Sequence, residues 1–543
     1  MISITPPFRP DQPYDVILVS GDYWADHPHS GVGVIARILE AYGYSVGIIE
    51  KPDWRFTKDF LRLGLPRLFF GITAGAIDSM LNNYTPLKKL RSEDPHASHA
   101  SGIPDRAIII YSQKIREAQK RVLQQSGSDI KEARPIIIGG VEASLRRFTH
   151  YDYWDNAVRR PILFDAKADL LVYGPGEHQV VEIAKRLENN QQLLGIKGTC
   201  IIANKIPVES EDGLFEMLPS HEEAQSDKTT FCRMQLQFSN EKNLAQPLKN
   251  RYLLQFRMNR YSSRDLDSLY NLPFSYKIPE SFKEFAMAKF SIMTHRGCFG
   301  NCHFCTIALH QGSRVISRSA DNILAEIRKM VTLPDFKGYI SDLGGPSANM
   351  YGMDCDNACG KDCMACPSLD RSHLQALALL RASRQIPGIK KTFVRSGIRF
   401  DLALHADEYL KELINHHVSG TLKIAPEHFS HRVLALMNKD TDCFDAFTTK
   451  FGEINKNPGQ SLRYYFITGH PGSTLEEVEI LRKKMESLQN VEKVQLFTPT
   501  PMSVSTCMYY TGLNPFTLEP VYVPYTYHEK KMQKKVLFSK PKK

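Results

Sequence analysis

KFSIMTHRGCFGNCHFC, from Lys289 to Cys305, runs from a short apolar strand straight into a loop that carries Cys298, Cys302 and Cys305 in a Cys-x3-Cys-x2-Cys pattern. Thiolates are the ligands of iron–sulfur clusters, and a complete 4Fe–4S cluster normally takes four of them. Three closely spaced cysteines leave one iron without a protein ligand, and a small molecule with an amine and a carboxylate can chelate it there. Gly297 and Gly300 let the short loop turn tightly around a bulky group. A structural zinc site usually takes four ligands in two close pairs with no position open. His295 or His303 could complete such a tetrahedron by residue type. The triplet by itself favours iron–sulfur over zinc.

Working outward, strand patterns recur at Lys289 to Thr294, Lys337 to Ser341, Lys391 to Ser396, Gly420 to Ala425, Leu462 to Thr468 and Glu492 to Thr498. Helical patterns fall between them, such as NILAEIRKMV, HLQALALLRAS, ADEYLKELINHH and TLEEVEILRKKMESL. Six βα repeats predict a partial (β/α)6 version of the TIM-type parallel barrel, whose chemistry sits at the carboxyl ends of the strands. The cysteine loop follows the first of these strands, where such a site belongs.

Seven of the eleven cysteines lie between Cys298 and Cys366, and that clustering points to metal rather than to disulfides. MDCDNACGKDCMACP supplies Cys355, Cys359, Cys363 and Cys366, a number that suits a closed site. Structural zinc, an auxiliary iron–sulfur cluster and unligated loop cysteines all stand for these four. The scattered Cys200, Cys232, Cys443 and Cys507 read as small buried hydrophobes.

The chain before the barrel reads differently. DVILVS from Asp15 is followed by the helical GVGVIARILEAYGY, with Val34, Ile38 and Leu39 on one face and Gly43 near its end. SVGIIE, LFFGIT, AIIIY, PIIIGG and DLLVYG follow as short β-branched runs. Nearly continuous apolar strands separated by helices predict a parallel sheet covered on both faces, a doubly wound α/β domain over 1–207. Residues 208–285 are polar and aperiodic, and read as a connecting region; 286–525 form the barrel core and 526–543 a basic tail.

Of the formal net charge of +10, the stretch from His528 to Lys543 supplies about +6, seven lysines against one glutamate. Because the excess sits in one tail, it reads as a solvated segment; weak RNA contact through it is the other reading. No run approaches the roughly 20 apolar residues of a membrane helix. The opening MISITPPFRPDQPYD lacks a signal-peptide apolar core, so the expectation is a cytoplasmic protein without membrane contact.

Cys298-x3-Cys302-x2-Cys305, with aromatic Phe304 just before the last cysteine, resembles the signature of the radical S-adenosylmethionine (SAM) superfamily. The resemblance implies a 4Fe–4S cluster on the triplet and SAM on its unique iron. It also implies reductive cleavage of SAM to a 5′-deoxyadenosyl radical that acts on an unknown substrate, with an electron donor such as a flavodoxin or ferredoxin. Gly344 and Gly345 resemble the superfamily's Gly-Gly-Glu element that positions the SAM amino group, with Pro346 where an acidic residue is common. Ser396, Arg399, Glu427 and His428 fall at strand ends, able either to contact SAM or substrate or to form an ion-pair network.

RSGIRFD, HHVSGTLKIAPEH, GHPGST, FTPTPMSVSTCMYYTG and YVP…HEKKMQ narrow the resemblance to the YgiQ family of radical SAM proteins, over nearly the whole chain. DHPHSG, IIIGGVEAS and LLVYGPGEHQVVEIAKRL resemble the loops of a cobalamin-binding-like domain, but the Asp-x-His-x-x-Gly lower-ligand motif is missing. A structural or substrate-binding role follows for that domain. The rival to an enzyme is a metal-stabilised RNA- or protein-binding module without SAM chemistry.

Overall fold

The structure is a computed structural model, and it describes residues 12–91, 102–124, 132–207, 213–280, 282, 285, 288–355, 357 and 362–538. The chain divides into two units, one built from Met1–Arg260, Leu272–Ala286 and Thr500–Met502, the other from Tyr261–Asn271, Met287–Pro499 and Ser503–Lys543.

In the first unit nine strands form one sheet. They are β1 (Val16–Ser20), β2 (Val46–Glu50), β3 (Phe69–Thr73), β4 (Ile136–Ile138), β5 (Leu170–Val172), β6 (Thr199–Ala203), β7 (Glu216–Met217), β8 (Leu244–Leu248) and β9 (Arg251–Gln255). Their order is β2-β1-β3-β4-β5-β6-β9-β8-β7. The first five pair in parallel, whereas β5, β6, β9 and β8 pair antiparallel. Every residue of β1, β4 and β5 is buried, so both faces of the parallel half are covered. One face packs under helices Gly31–Ala41 and Glu177–Glu188, through Ala36, Leu39, Val180 and Ile183.

Two expectations are corrected here. AIIIY is the first turn of helix Ala107–Leu123, not a strand. Its buried residues Ile108, Tyr111, Ile115 and Ala118 recur at helical spacing, so the 3.6-residue period outweighs the β-branched run at its start. The polar region from Val208, expected to connect the two domains, instead contributes β7, β8 and β9 to the sheet. Its polar side chains are used inside: buried Gln246 accepts from Thr149 N, and buried Gln255 accepts from Arg147 Nε at 2.8 Å and donates to Ser239 O at 2.7 Å. Satisfied buried amides of this kind look like surface residues in a sequence.

In the second unit the strands are β10 (Ser291–Met293), β11 (Tyr339–Ile340), β12 (Asp342–Gly344), β13 (Lys391–Thr392), β14 (Thr421–Glu427), β15 (Ser461–Thr468) and β16 (Val491–Leu496). β10 pairs with β12, β11 with β13, and β14 with β15 and β15 with β16, all in parallel. A parallel bridge from Ile398 to Ile424 links the segment after β13 to β14. β11 and β12 are separated only by Ser341, so together they bridge β10 on one side and β13 on the other. Helices Ala320–Val331, Leu374–Arg384, Asp407–Glu412, Phe444–Ile454 and Leu475–Glu486 fall between them. Burial alternates along β15, with Leu462, Tyr464, Phe466 and Thr468 inward, as a strand with one packed face requires.

Residues 527–538 of the basic segment form helix Tyr527–Phe538 rather than a solvated stretch. Lys530 is buried and donates to Tyr509 Oη at 2.7 Å, and buried Gln533 accepts from Gly469 N and donates to Ser473 O. Lysine-rich composition conceals such a docking face because the stem of a lysine packs while its head finds an acceptor. Among the described residues no helix is long and apolar enough to cross a membrane.

Candidate metal centre

The cysteine loop leaves β10 through a short antiparallel pairing of His295–Arg296 with Ile316–Ser317. Gly297 makes the turn at φ 82°, and a Cβ there would lie 1.7 Å from Arg314 O, so only glycine fits. Cys298 N then donates to Gly312 O at 3.2 Å, and Cys305 N to Cys302 O at 3.0 Å. Further along, His303 N donates to Met437 O at 2.9 Å.

Cys298, Cys302 and Cys305 are half-buried free thiols. Burial raises the Cys298 thiol, with Cys302 adding to that while the Gly300 amide, Arg399 and Lys439 oppose it. Burial pushes Cys305 up to about 12, reinforced by Cys302, Cys298 and Glu427. The thiols thus lie close enough to act on one another electrostatically. Among the described residues no group of three or more His, Cys, Asp or Glu side chains is arranged to hold a metal ion.

Arg399 reaches this loop from the segment after β13. Its Nη1 lies 3.8 Å from Cys302 Sγ, while Nε and Nη2 donate to the two carboxylate oxygens of Asp401 at 3.1 and 2.5 Å. Burial would raise the Asp401 carboxyl, but its bonds to Arg399 and the charge of Lys439 hold it below the usual carboxylate range. A Cβ on Gly300 would sit 2.5 Å from Arg399 Nη1 and 3.4 Å from Cys298 Sγ, so a side chain at residue 300 would have to push the guanidinium from its present place.

Glu427 ends β14 at φ 70°, after a break in register, and lies 3.8 Å from Lys439 Nζ. A positive φ at a non-glycine residue is a strained conformation that clusters at functional sites. Burial lifts Glu427 to about 7, against the pull of Lys439 and Arg399. Next to it, His428 is buried and accepts from Ser430 N through Nδ1, so its proton sits on Nε2, which has no hydrogen-bond partner among the described residues.

Gly344 closes β12, and its carbonyl accepts from Thr294 N at 2.8 Å and Thr294 Oγ1 at 3.1 Å. A Cβ on Gly344 would meet Ser396 Oγ at 2.7 Å, and one on Gly345 the His295 ring at 2.4 Å. Ser396 in turn donates to Asp342. Phe304 presents its ring to His470 at 6.5 Å between centroids, edge to face. The strand-end residues read from sequence therefore separate: Arg399 and Glu427 join the thiols electrostatically, while Ser396 and Gly344 bind the strand ends together.

Asp401, Asn349 and Lys439 complete this arrangement and were not anticipated. Asp401 sits within the RSGIRFD motif, and its place two residues after Arg399 is the one signal that could have marked it. In the second cysteine group, Cys363 packs against the apolar cluster of Phe299, Val315, Met350, Met353 and Leu402, the same cluster that Cys298 borders. Cys355 is exposed, Cys366 half-buried, and Cys359 lies outside the described residues.

A strand-end loop with this cysteine spacing has counterparts among known families. The Radical SAM N-terminal family matches residues 9–293, the Radical SAM superfamily matches 292–485, and a domain of unknown function (DUF3362) matches 492–541. The chain is therefore a radical SAM superfamily protein carrying this N-terminal domain. It belongs to the UPF0313, or YgiQ-type, family. A UPF0313 protein of Methanosarcina acetivorans is 42% identical over 96% of this chain and 76% of its own length. One of Methanocella arvoryzae is 42% identical over 96% and 90%. The structure also resembles that of a radical SAM methyltransferase, TsrM from Kitasatospora setae, solved with cobalamin and a [4Fe-4S] cluster bound. That likeness has a TM-score of 0.50 at 15% identity and covers 92% of this chain and 79% of that one, which makes it a likeness of fold.

Proposed function

We propose that this chain is a radical SAM enzyme that holds a 4Fe–4S cluster on Cys298, Cys302 and Cys305 and acts on a substrate still to be identified. The observation that carries the reading is the approach of Arg399 to Cys302 at 3.8 Å, in a loop where Gly300 leaves room for it. Three thiol donors beside two cations suit a group whose cysteine ligands are anionic. In superfamily members the bound cluster and SAM together supply the one-electron cleavage that starts hydrogen abstraction. The C-terminal unit, with parallel strands following one another in chain order, supports the partial (β/α)6 barrel as the scaffold.

The chain's own residues have separate parts in this reading. The triplet binds the cluster, and Asp401 orients Arg399 toward it. Gly344 and Gly345 offer main chain without a side chain at the β12 end, where SAM would be held. His428 brings a buried N–H with no acceptor among the described residues, suited to a substrate or SAM oxygen. Phe304 sets the loop edge to face against the ring of His470.

The first unit reads as a doubly wound, cobalamin-binding-like domain whose residues do not fit a lower-ligand role. Buried His27 lies edge-on to Tyr276 and Phe285, with ring centroids 5.2 and 5.4 Å away, and its Nδ1 accepts from His29 N. Asp26 before it is paired with Arg37 at 2.5 Å. A ring held in this way is a packing element, so no step is assigned to a corrinoid.

The test is anaerobic reconstitution of the full chain followed by reduction with SAM present. Formation of 5′-deoxyadenosine supports the enzyme; an intact cluster that forms none sinks it in favour of a metal-stabilised binding module.

A further inference from the structure

Resting on the reading of the triplet as cluster ligands, we propose that Arg399 is a positioning residue for the cluster: it donates a charge-assisted hydrogen bond to the Cys302 sulfur and raises the cluster's reduction potential. Three constraints fix that contact. Asp401 occupies Nε and Nη2 from the side, which leaves Nη1 as the nitrogen that faces Cys302. Buried Asn349 grips the main chain of the same residue, accepting from Arg399 N at 2.8 Å and donating to Arg399 O at 2.9 Å. Gly300 gives up its side-chain space to the guanidinium.

An arginine needed only as a partner for Asp401 would require neither the side-chain-free residue 300 nor a nitrogen turned to sulfur. Arginine stays charged when buried, and its planar fork can serve Asp401 and Cys302 together where a lysine could serve one. The side chain is only 8% exposed, so its charge is weakly screened. A reduced cluster carries one more negative charge than the oxidised one, so a fixed cation beside a ligand sulfur stabilises the reduced form. Hydrogen bonds to cluster sulfurs, net charge and solvent exposure are the general settings of such potentials. An external one-electron donor meets a more accepting cluster as a result.

The experiment is an anaerobic redox titration of the reconstituted full chain with dithionite, read by electron paramagnetic resonance, with iron and sulfide counted in each sample. Arg399→Gln should keep its iron and sulfide and lose at least tenfold in the equilibrium constant for reduction, a downward shift of about 59 mV or more for one electron. Arg399→Lys, which keeps the charge but not the fork, should fall between Arg399→Gln and the unaltered chain. An unshifted potential in Arg399→Gln with a full cluster overturns the proposal. Should Arg399→Gln fail to fold or hold iron, Arg399→Lys decides: a lowered potential supports the role and an unchanged one overturns it. An unaltered chain that binds no iron overturns the cluster reading underneath, a different and recognisable outcome.

Discussion

Asn349 holds the main chain of Arg399 from both sides, its carboxamide accepting from the amide at 2.8 Å and donating to the carbonyl at 2.9 Å. One buried side chain from the segment after β12 thus fixes a residue in the segment after β13, and a contact between strand ends sets the angle from which a guanidinium meets the cysteine loop. Asn349→Ala removes both bonds at a buried position, at a cost of about 1–3 kcal/mol for each group left unsatisfied. The thermal midpoint should drop by several degrees, with Asn349→Asp intermediate because it keeps the acceptor. An unchanged melting curve for Asn349→Ala would contradict the clamp.

Gly297 carries the turn into the cysteine loop. Its φ of 82° and the 1.7 Å separation of a built Cβ from Arg314 O leave no conformation for alanine without moving the backbone. Gly297→Ala should therefore displace Cys298 and reduce the iron retained per chain after reconstitution, measured by metal analysis against Gly452→Ala, whose Cβ meets nothing within 4 Å among the described residues.

Arg318 is the largest buried charge near the start of the second unit's sheet. It pairs with Glu326 at 2.7 Å, donates to Met293 O at 2.8 Å and lies 4.0 Å over the Tyr270 ring. Removing one member of a buried pair costs about 3–5 kcal/mol, whereas replacing both with apolar residues costs far less. Arg318→Met should be strongly destabilised in urea unfolding, and Arg318→Met with Glu326→Leu should recover part of the loss. Equal stability of the single and double variants would contradict the pairing.

Burial lowers His470 from 6.5 to about 3. Its Nδ1 faces Pro471 O at 2.8 Å and must donate there, so Nε2 accepts from Ser505 Oγ at 2.6 Å, an arrangement that keeps the ring neutral. The folded value lies below the unfolded one, so acid protonates the unfolded chain first. The stability His470 confers is complete above pH 6.5 and is lost as pH falls from there toward about 3, at up to about 1.4 kcal/mol per pH unit. His470→Gln should show a shallower fall in unfolding midpoint between pH 6.5 and 5; an identical slope would contradict the assignment.

Local pattern carried much of the architecture. The strands at Val16–Ser20, Val46–Glu50, Phe69–Thr73, Thr421–Glu427 and Ser461–Thr468 were legible because apolar runs bounded by turns have few alternatives. Ala107–Leu123 was misread at its start because three consecutive isoleucines carry a strand signal inside a helix. Leu244–Leu248 and Arg251–Gln255 were missed because Gln246 and Gln255 turn their amides inward to buried partners, which only tertiary structure supplies. At the candidate site, the cysteine spacing was legible and its surroundings were not. Arg399 could be placed at a strand end, but its approach to Cys302 depends on Asn349, Asp401 and the side-chain-free Gly300, a three-body arrangement that no spacing encodes.

The most direct test of the account is the iron and sulfide content of the reconstituted full chain beside one with Cys298, Cys302 and Cys305 all replaced by alanine. Any metal on the second cysteine group appears in both samples and cancels in the difference. The account predicts that the variant loses about four iron and four sulfide per chain, the content of one 4Fe–4S cluster. Equal iron and sulfide in the two samples would contradict it.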